Sequence, residues 1–330
     1  MEAAVLTAQG APEVLALADR AMPEPAEHEV LVRVAATGVN YVDVYQRSGA
    51  YQVSLPFTPG IEGAGVIAGI GAAVEEFGIG DRVAWIGPAG SYAEYCLVPQ
   101  KALVPVPDEL GLAQAASALI HGMTAHALAH DVARLTEGSS CLVHAAAGGI
   151  GALLCQYAAG LGATVIGTVS SAEKAEVARA AGAHDVVVGY EQNGFASQVK
   201  RLTGGGGVDV VLDGVGRATA LESLDCLRPR GLLVLYGQTS GPVAPIDPQV
   251  LAAKGSLFVT KASLGHYNDS RTALLDRAAA VFGAVLDGRL QLRVHAGYPL
   301  GQAAQAHRDL ESRAAMGKVL LFPAGADPDW

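Results

Sequence analysis

Gly148, Gly149 and Gly151 lie in the run AAGGIG (146–151), between the apolar stretch SCLVHA and the segment GIGALLCQYAAGLG. The first flank reads as a short buried strand. The second carries apolar residues at helical spacing and ends at Gly162. A glycine turn from strand to helix is suited to holding a pyrophosphate. Gly148 allows close backbone approach and Gly151 allows the helix to pack tightly on the strand. The helix start at Gly149 and Ile150 supplies free N–H groups and partial positive charge. Ala146 stands where the common GxGxxG pattern has its first glycine, so an ordinary glycine-rich turn is the competing reading.

About 20 residues past such a loop an acid commonly holds the adenosine ribose. Here the place is taken by Ser170 and Ser171, with Lys174 just beyond. A carboxylate would repel a 2′-phosphate, whereas two hydroxyls can donate to it and an ammonium adds a point charge. The pattern therefore predicts NADPH. The competing reading makes Lys174 a solvated residue in the first turn of a helix.

The elements around these residues alternate. After the first strand and helix come ATVIGTV (strand), AEKAEVARAAGA (helix), HDVVVGY (strand), FASQVKRLTGG (helix) and VDVVLDGVG (strand). ATALESLDCLRP (helix), GLLVLYGQ (strand) and SLFVTKAS (strand) follow. Buried strands separated by helices predict a parallel sheet covered on both faces. The first ~120 residues differ. EVLVRVAATGVN, GAGVIAGIG, DRVAWIG and SYAEYCLVP read as short strands of a mostly antiparallel, partly closed β-domain. The C-terminal part returns to a helix, a strand, the helix AAQAHRDLESRAAMG and the strand KVLLFPA, which can pair back into the first domain.

Composition sets the outer bounds. Of 330 residues, 51% are hydrophobic and 16% charged, as in a well-buried globular chain. A net charge of −10 argues against a nucleic-acid partner. Cys96, Cys141, Cys155 and Cys226 show no CxxC spacing and read as buried thiols of a reducing compartment. The start MEAAVLTAQGAPEV lacks a basic lead-in, and no window approaches ~18 uninterrupted apolar residues. A cytoplasmic location without membrane association is expected.

Taken together, AAAGGIG, NYVDVYQRSGAY, PGIEGAG, HGMTAH, DGVG, YGQTSG and LESRA resemble the medium-chain dehydrogenase/reductase superfamily. Within it the chain is similar to NADPH:quinone oxidoreductases of the zeta-crystallin type. The resemblance implies an α/β fold: a GroES-like, β-rich catalytic domain (1–122 plus 267–330) with an inserted Rossmann domain (123–266) built on a doubly wound parallel sheet. It places Asn40, Tyr45 and Thr124 near the nicotinamide and its ribose. Gly214, Gly237, Gln238 and Ser240 would line the cofactor after the central strands. Lys174, Tyr190 and Arg313 would clasp the 2′-phosphate, so that NADPH would be held by both domains. Asn40, Tyr45 and Tyr51 are the catalytic candidates, the tyrosines as hydrogen-bond donors to the acceptor oxygen. A surface lid is the competing reading for the tyrosines, and a solvated helix position for Arg313.

Alcohol dehydrogenases of the superfamily take zinc ligands from GVC and GHE. This chain reads Gly38-Val39-Asn40 and Gly60-Ile61-Glu62, and has no four-cysteine lobe. A catalytic zinc needs about three protein ligands, so no metal is expected. His121 and His126 of HGMTAH are read as packing or helix-end residues. The expected reaction is metal-free transfer of a hydride or electrons from NADPH to a small-molecule quinone or other conjugated carbonyl. An enone or enal reductase on the same scaffold is the alternative, and a nucleotide binder with little turnover a further one. An apolar edge strand at Ser256–Ser263 and the resemblance both point to a homodimer.

Overall fold

A computed structural model describes residues 1–189 and 194–325. The chain separates into two compact units, each with its own sheet.

One unit comprises His121–Asp269 and Arg289–Gln291. Its six strands are all parallel. Across the sheet they run Asp185–Val188, Thr164–Val169, Ser140–Val143, Val208–Asp213, Leu227–Leu235, Phe258–Lys261. Numbered along the chain, this is the 3-2-1-4-5-6 order of a dinucleotide-binding sheet. Helices cover both faces, so the strands read as near-continuous apolar runs. In Thr164–Val169 only the first residue is exposed. Leu142, Ile166, Val211 and Leu233 are buried together with Phe195 and Leu224 from neighbouring segments.

The other unit comprises Met1–Ile120, Ser270–Gly288 and the stretch from Leu292. Its sheet runs Val294–Pro299, Lys318–Phe322, Glu29–Val39, Glu62–Ile70, Arg82–Ile86, Leu103–Pro105, with Tyr95–Pro99 also paired to Glu29–Val39. All pairs are antiparallel except the first. The period-2 pattern of the long strand sends Val30, Val32 and Val34 into a core with Ile67, Val83, Trp85, Cys96 and Leu103. The terminal strand Lys318–Phe322 pairs antiparallel with its other end, Val319 opposite Val39.

Two local features depart from the sequence expectations. NYVDVYQRSGAY, for which no element was expected, holds a helix: Tyr41–Ser48, with Asn40 at its N-cap and Gly49 closing it at φ 90°. The helix expected over residues 303–317 stops at Glu311. Ser312 caps it, and Arg313 takes the left-handed conformation at φ 60°. Arg313 therefore lies past the helix and not on it.

All four cysteines are buried and free. Burial pushes the thiols of Cys96, Cys141 and Cys226 up to about 12, which keeps them protonated and unreactive at neutral pH. Among the described residues no helix is long and apolar enough to cross a membrane.

Candidate active site

In the parallel-sheet unit, the strand Ser140–Val143 leads through the glycine loop into the helix Gly149–Gly160. Ala145 turns the chain at φ 51° and accepts the Gly148 N–H at 2.8 Å. Gly148 is the N-cap, no side chain caps the helix, and its first turn holds no acid. The leading N–H groups and the positive end of the helix dipole are thus left for an anion. Gly151 sits so close to the turn that a Cβ there would lie 2.2 Å from the Ala145 carbonyl oxygen. This cradle suits a pyrophosphate.

His144, just before the loop, was not singled out by sequence reasoning. It is fully buried, with Nδ1 2.8 Å from the Thr168 hydroxyl and Nε2 2.9 Å from the Ser223 hydroxyl. Burial lowers its pKa, so it is a neutral bridge between the first strand, the second strand and the helix Ala220–Cys226.

The second strand ends at Val169 and delivers Ser170, Ser171 and Lys174. Ser171 is the N-cap of Ala172–Ala180, its hydroxyl accepting the Lys174 N–H at 3.4 Å. Ser170 is exposed and Lys174 half-buried. Tyr190 lies outside the described residues.

At the ends of the fourth and fifth strands, DGVG and YGQTSG interlock. Asp213 is buried and accepts the N–H groups of Val215 and Gly216 and the Thr219 hydroxyl, at 2.7–3.0 Å. Gly214 accepts the Thr239 N–H. Ser240 donates its hydroxyl and its N–H to Val215. Gly214, Gly237, Gln238 and Ser240 are therefore brought into one place, with the Ser240 hydroxyl engaged in holding the two turns together. Thr124 is half-buried on the helix Leu112–Ala127. On that helix His126 stacks on His130 at 4.3 Å, and both rings meet Tyr157 edge-on.

In the GroES-like unit, Tyr45 and Tyr51 come together, and Asn40 is the N-cap of the helix that carries Tyr45. Tyr45 lies one helical turn past Tyr41, with ring centroids 6.1 Å apart, and Tyr51 packs on Tyr45 at 5.2 Å. The Tyr51 N–H donates to the Tyr45 carbonyl, and Gln9 Nε2 donates to the Tyr51 carbonyl. Tyr51 is 45% exposed, which leaves an aromatic face open to solvent.

Asn40 is only 6% exposed, and its amide is fixed on three sides. Nδ2 donates to the Gly38 carbonyl and to Glu62 Oε2, both at 3.1 Å. Oδ1 accepts Lys318 Nζ at 2.7 Å. Lys318 and Glu62 form an ion pair at 2.5 Å, 2% and 0% exposed, and Glu62 Oε1 also accepts the Ile120 N–H at 2.5 Å. Much of the hydrogen-bonding capacity of Asn40 is thus used within this network. Gly38 makes the network possible, because a Cβ there would meet Glu62 Oε2 at 2.2 Å and Lys318 Cε at 2.6 Å. Sequence reasoning missed Lys318; its only signal was a lysine opening an apolar terminal strand. Among the described residues no group of three or more His, Cys, Asp or Glu is arranged to hold a metal ion.

Beneath the Tyr41–Ser48 helix, Asp43 accepts the Asn40 N–H at 2.8 Å and the Tyr92 hydroxyl at 3.2 Å. Tyr92 in turn lies 3.1 Å from His307 Nε2. Burial pushes the Asp43 carboxyl up to about 7 and the His307 imidazole down to about 3. At neutral pH the His307 imidazole is therefore neutral, while the Asp43 carboxyl sits near its midpoint between the protonated and ionised forms.

Comparisons with known proteins agree with this fold. Residues 26–108 match the alcohol dehydrogenase GroES-like domain model, and residues 149–280 match the zinc-binding dehydrogenase model. The chain is 42% identical to a quinone oxidoreductase of Pseudomonas aeruginosa, over 96% of this chain and 98% of that protein. It is 39% identical to a 2-haloacrylate reductase of a Burkholderia species, over 97% and 98%. The solved Escherichia coli quinone oxidoreductase complexed with NADPH superposes with a TM-score of 0.95 at 38% identity, over 98% of this chain and all of that one. The chain belongs to the quinone oxidoreductase family of zinc-independent medium-chain dehydrogenases/reductases.

Proposed function

We infer that the protein is an NADPH-dependent quinone oxidoreductase. The observation that carries this is the uncapped, acid-free helix start at Gly148–Gly151 on a 3-2-1-4-5-6 sheet whose second strand ends in Ser170 and Ser171 and no acid. The names of full-length relatives support the same reading. NADPH, when bound, supplies the hydride from its nicotinamide ring.

The chain's own residues bind and orient. Gly148, Gly149, Ile150 and Gly151 receive the pyrophosphate. Lys174 and Arg313 supply charge to the 2′-phosphate, with Ser170 as a hydroxyl donor; Ser171, as N-cap, fixes the turn beside it. Gly214, Gly237, Gln238 and Ser240 shape the nicotinamide end, and Thr124 lies near its ribose. Tyr45 and Tyr51 offer hydroxyls and aromatic faces to a planar acceptor. The reduced quinone oxygen is resonance-stabilised, so the site needs no dedicated acid for the first step. Asn40, held by Glu62 and Lys318, keeps the start of the Tyr45 helix in register.

The test is kcat/KM for NADPH and NADH against panels of benzoquinones and enones. Quinone turnover with NADPH is expected. Turnover confined to enones would assign the enone reductase reading, which the 2-haloacrylate reductase relative keeps in play. Lys174→Ala and Arg313→Ala should each lower NADPH kcat/KM roughly 5- to 150-fold, mainly through KM, with NADH affected far less. A wild-type preference for NADH, or equal losses with both cofactors, would overturn the phosphate assignment.

The reading includes a cytoplasmic homodimer. The edge strand Phe258–Lys261 has a free side, and Phe258 is 60% exposed. A second copy pairing there would cover it. A solution mass of two chains at micromolar concentration is expected, and a monomer would refute it.

A further inference from the structure

The helix Tyr41–Ser48 grips the segment that carries Arg313. The Tyr41 hydroxyl donates to the Leu310 carbonyl at 3.0 Å, and the same carbonyl accepts the Arg313 N–H at 3.3 Å. One turn and a half further along the helix, Arg47 is 2% exposed and donates to Glu311 Oε1 at 2.8 Å. Two side chains of one helix thus hold the last two residues before the Ser312-Arg313 turn. Burial raises the Tyr41 hydroxyl above its ordinary pKa, which keeps it a donor.

Arg313 itself is an outlier. It occupies the position just past a helix cap, at φ 60°, where glycine is the usual residue. A residue with a Cβ persists there only when its surroundings over-determine it, and such positions cluster at ligand clamps. The neighbouring helix contacts the two residues that lead into this turn, at the Leu310 carbonyl and the Glu311 carboxylate.

We propose that Tyr41 is a positioning residue for cofactor discrimination: through the shared Leu310 carbonyl it holds the left-handed turn that sets the Arg313 guanidinium for the 2′-phosphate. This rests on the reading of Arg313 as a phosphate ligand. Arg47 anchors the same turn through Glu311. Tyr41 touches neither cofactor nor acceptor in this scheme and acts only through Arg313. Because the same helix starts at Asn40 and carries Tyr45, phosphate recognition and the placement of the reacting end share one support.

The experiment is a double-mutant cycle on the full-length protein with Tyr41→Phe, Arg313→Ala and the double variant. KM and kcat are measured for NADPH and for NADH, and thermal melting confirms that each variant is folded. Tyr41→Phe keeps the ring and removes one hydrogen bond. It should raise KM for NADPH about 2- to 10-fold with kcat and the NADH parameters near wild type. In the Arg313→Ala background the same change should add nothing. A Tyr41→Phe loss that is equal for both cofactors, or equally large without Arg313, marks a general packing role and overturns the proposal. A normal Arg313→Ala loss beside a silent Tyr41→Phe overturns the proposal alone. An unchanged NADPH-to-NADH ratio in Arg313→Ala overturns the phosphate reading beneath it, and the proposal falls with it.

Discussion

Lys318→Met is expected to destabilise the protein by about 3–5 kcal/mol, the cost of leaving a buried charge without its partner. Glu62 is fully buried, and its Oε2 atom takes both Lys318 Nζ and Asn40 Nδ2. Removing the ammonium leaves the carboxylate two neutral donors, Asn40 Nδ2 and the Ile120 N–H. These cannot replace a full charge in a dry site. The loss should appear as a lower denaturation midpoint with an unchanged slope. Glu62→Gln in the same chain should recover much of it, because the double variant buries no charge. If Lys318→Met alone unfolds at the wild-type midpoint, the pair is solvated in solution and does not secure the terminal strand to Glu62–Ile70. A double variant as unstable as the single would instead place the cost in lost packing of the lysine stem.

The parallel sheet was readable because burial on both faces turns each strand into an apolar run. ATVIGTV and VDVVLD need no alternation to be recognised, and glycines and helices punctuate them. The spatial order of those strands is not written in any one of them, and follows only from crossover geometry. The helix Tyr41–Ser48 was invisible for the opposite reason. Its buried residues are Asp43, Val44 and Arg47, so two of the three are charged and no apolar stripe announces it. Charge burial is a tertiary fact, decided by Tyr92 and Glu311 from distant parts of the chain. The end of Ala303–Glu311 was missed because Arg313 occupies the left-handed position without a glycine to signal a stop.

The candidate site was legible residue by residue and not as a constellation. The glycine loop and the Ser170-Ser171-Lys174 turn follow from local spacing alone. Tyr45 and Tyr51 needed the family resemblance, and their packing at 5.2 Å needed the fold. Lys318 had neither spacing nor motif to mark it, and Tyr41, although inside NYVDVYQRSGAY, had nothing to set it apart from its neighbours. Both matter through hydrogen bonds to residues more than 200 positions away, which no local pattern contains.

Gly151→Ala should lower the affinity for NADPH and NADH alike by about 10- to 150-fold, the scale of a lost hydrogen bond to a charged group. The added Cβ would lie 2.2 Å from the Ala145 carbonyl oxygen, 2.9 Å from its carbon and 3.0 Å from the Ala146 Cα. All three are backbone atoms, so no side chain can swing aside. Either the helix Gly149–Gly160 moves away from the turn or the turn itself opens. Both displace the N–H groups that face the pyrophosphate. Overpacking of this kind also costs about 1–3 kcal/mol of stability, so a lowered melting temperature is expected in the absence of cofactor. The equal loss with both cofactors separates this variant from Lys174→Ala, because the pyrophosphate is common to the two and the 2′-phosphate is not. Binding can be followed by the fluorescence of the reduced nicotinamide, without any acceptor, and stability by melting of the free protein. Wild-type affinity in Gly151→Ala would mean that the loop does not hold the pyrophosphate. A loss confined to NADPH would mean that the displaced helix acts on the Ser170–Lys174 turn and not on the cradle.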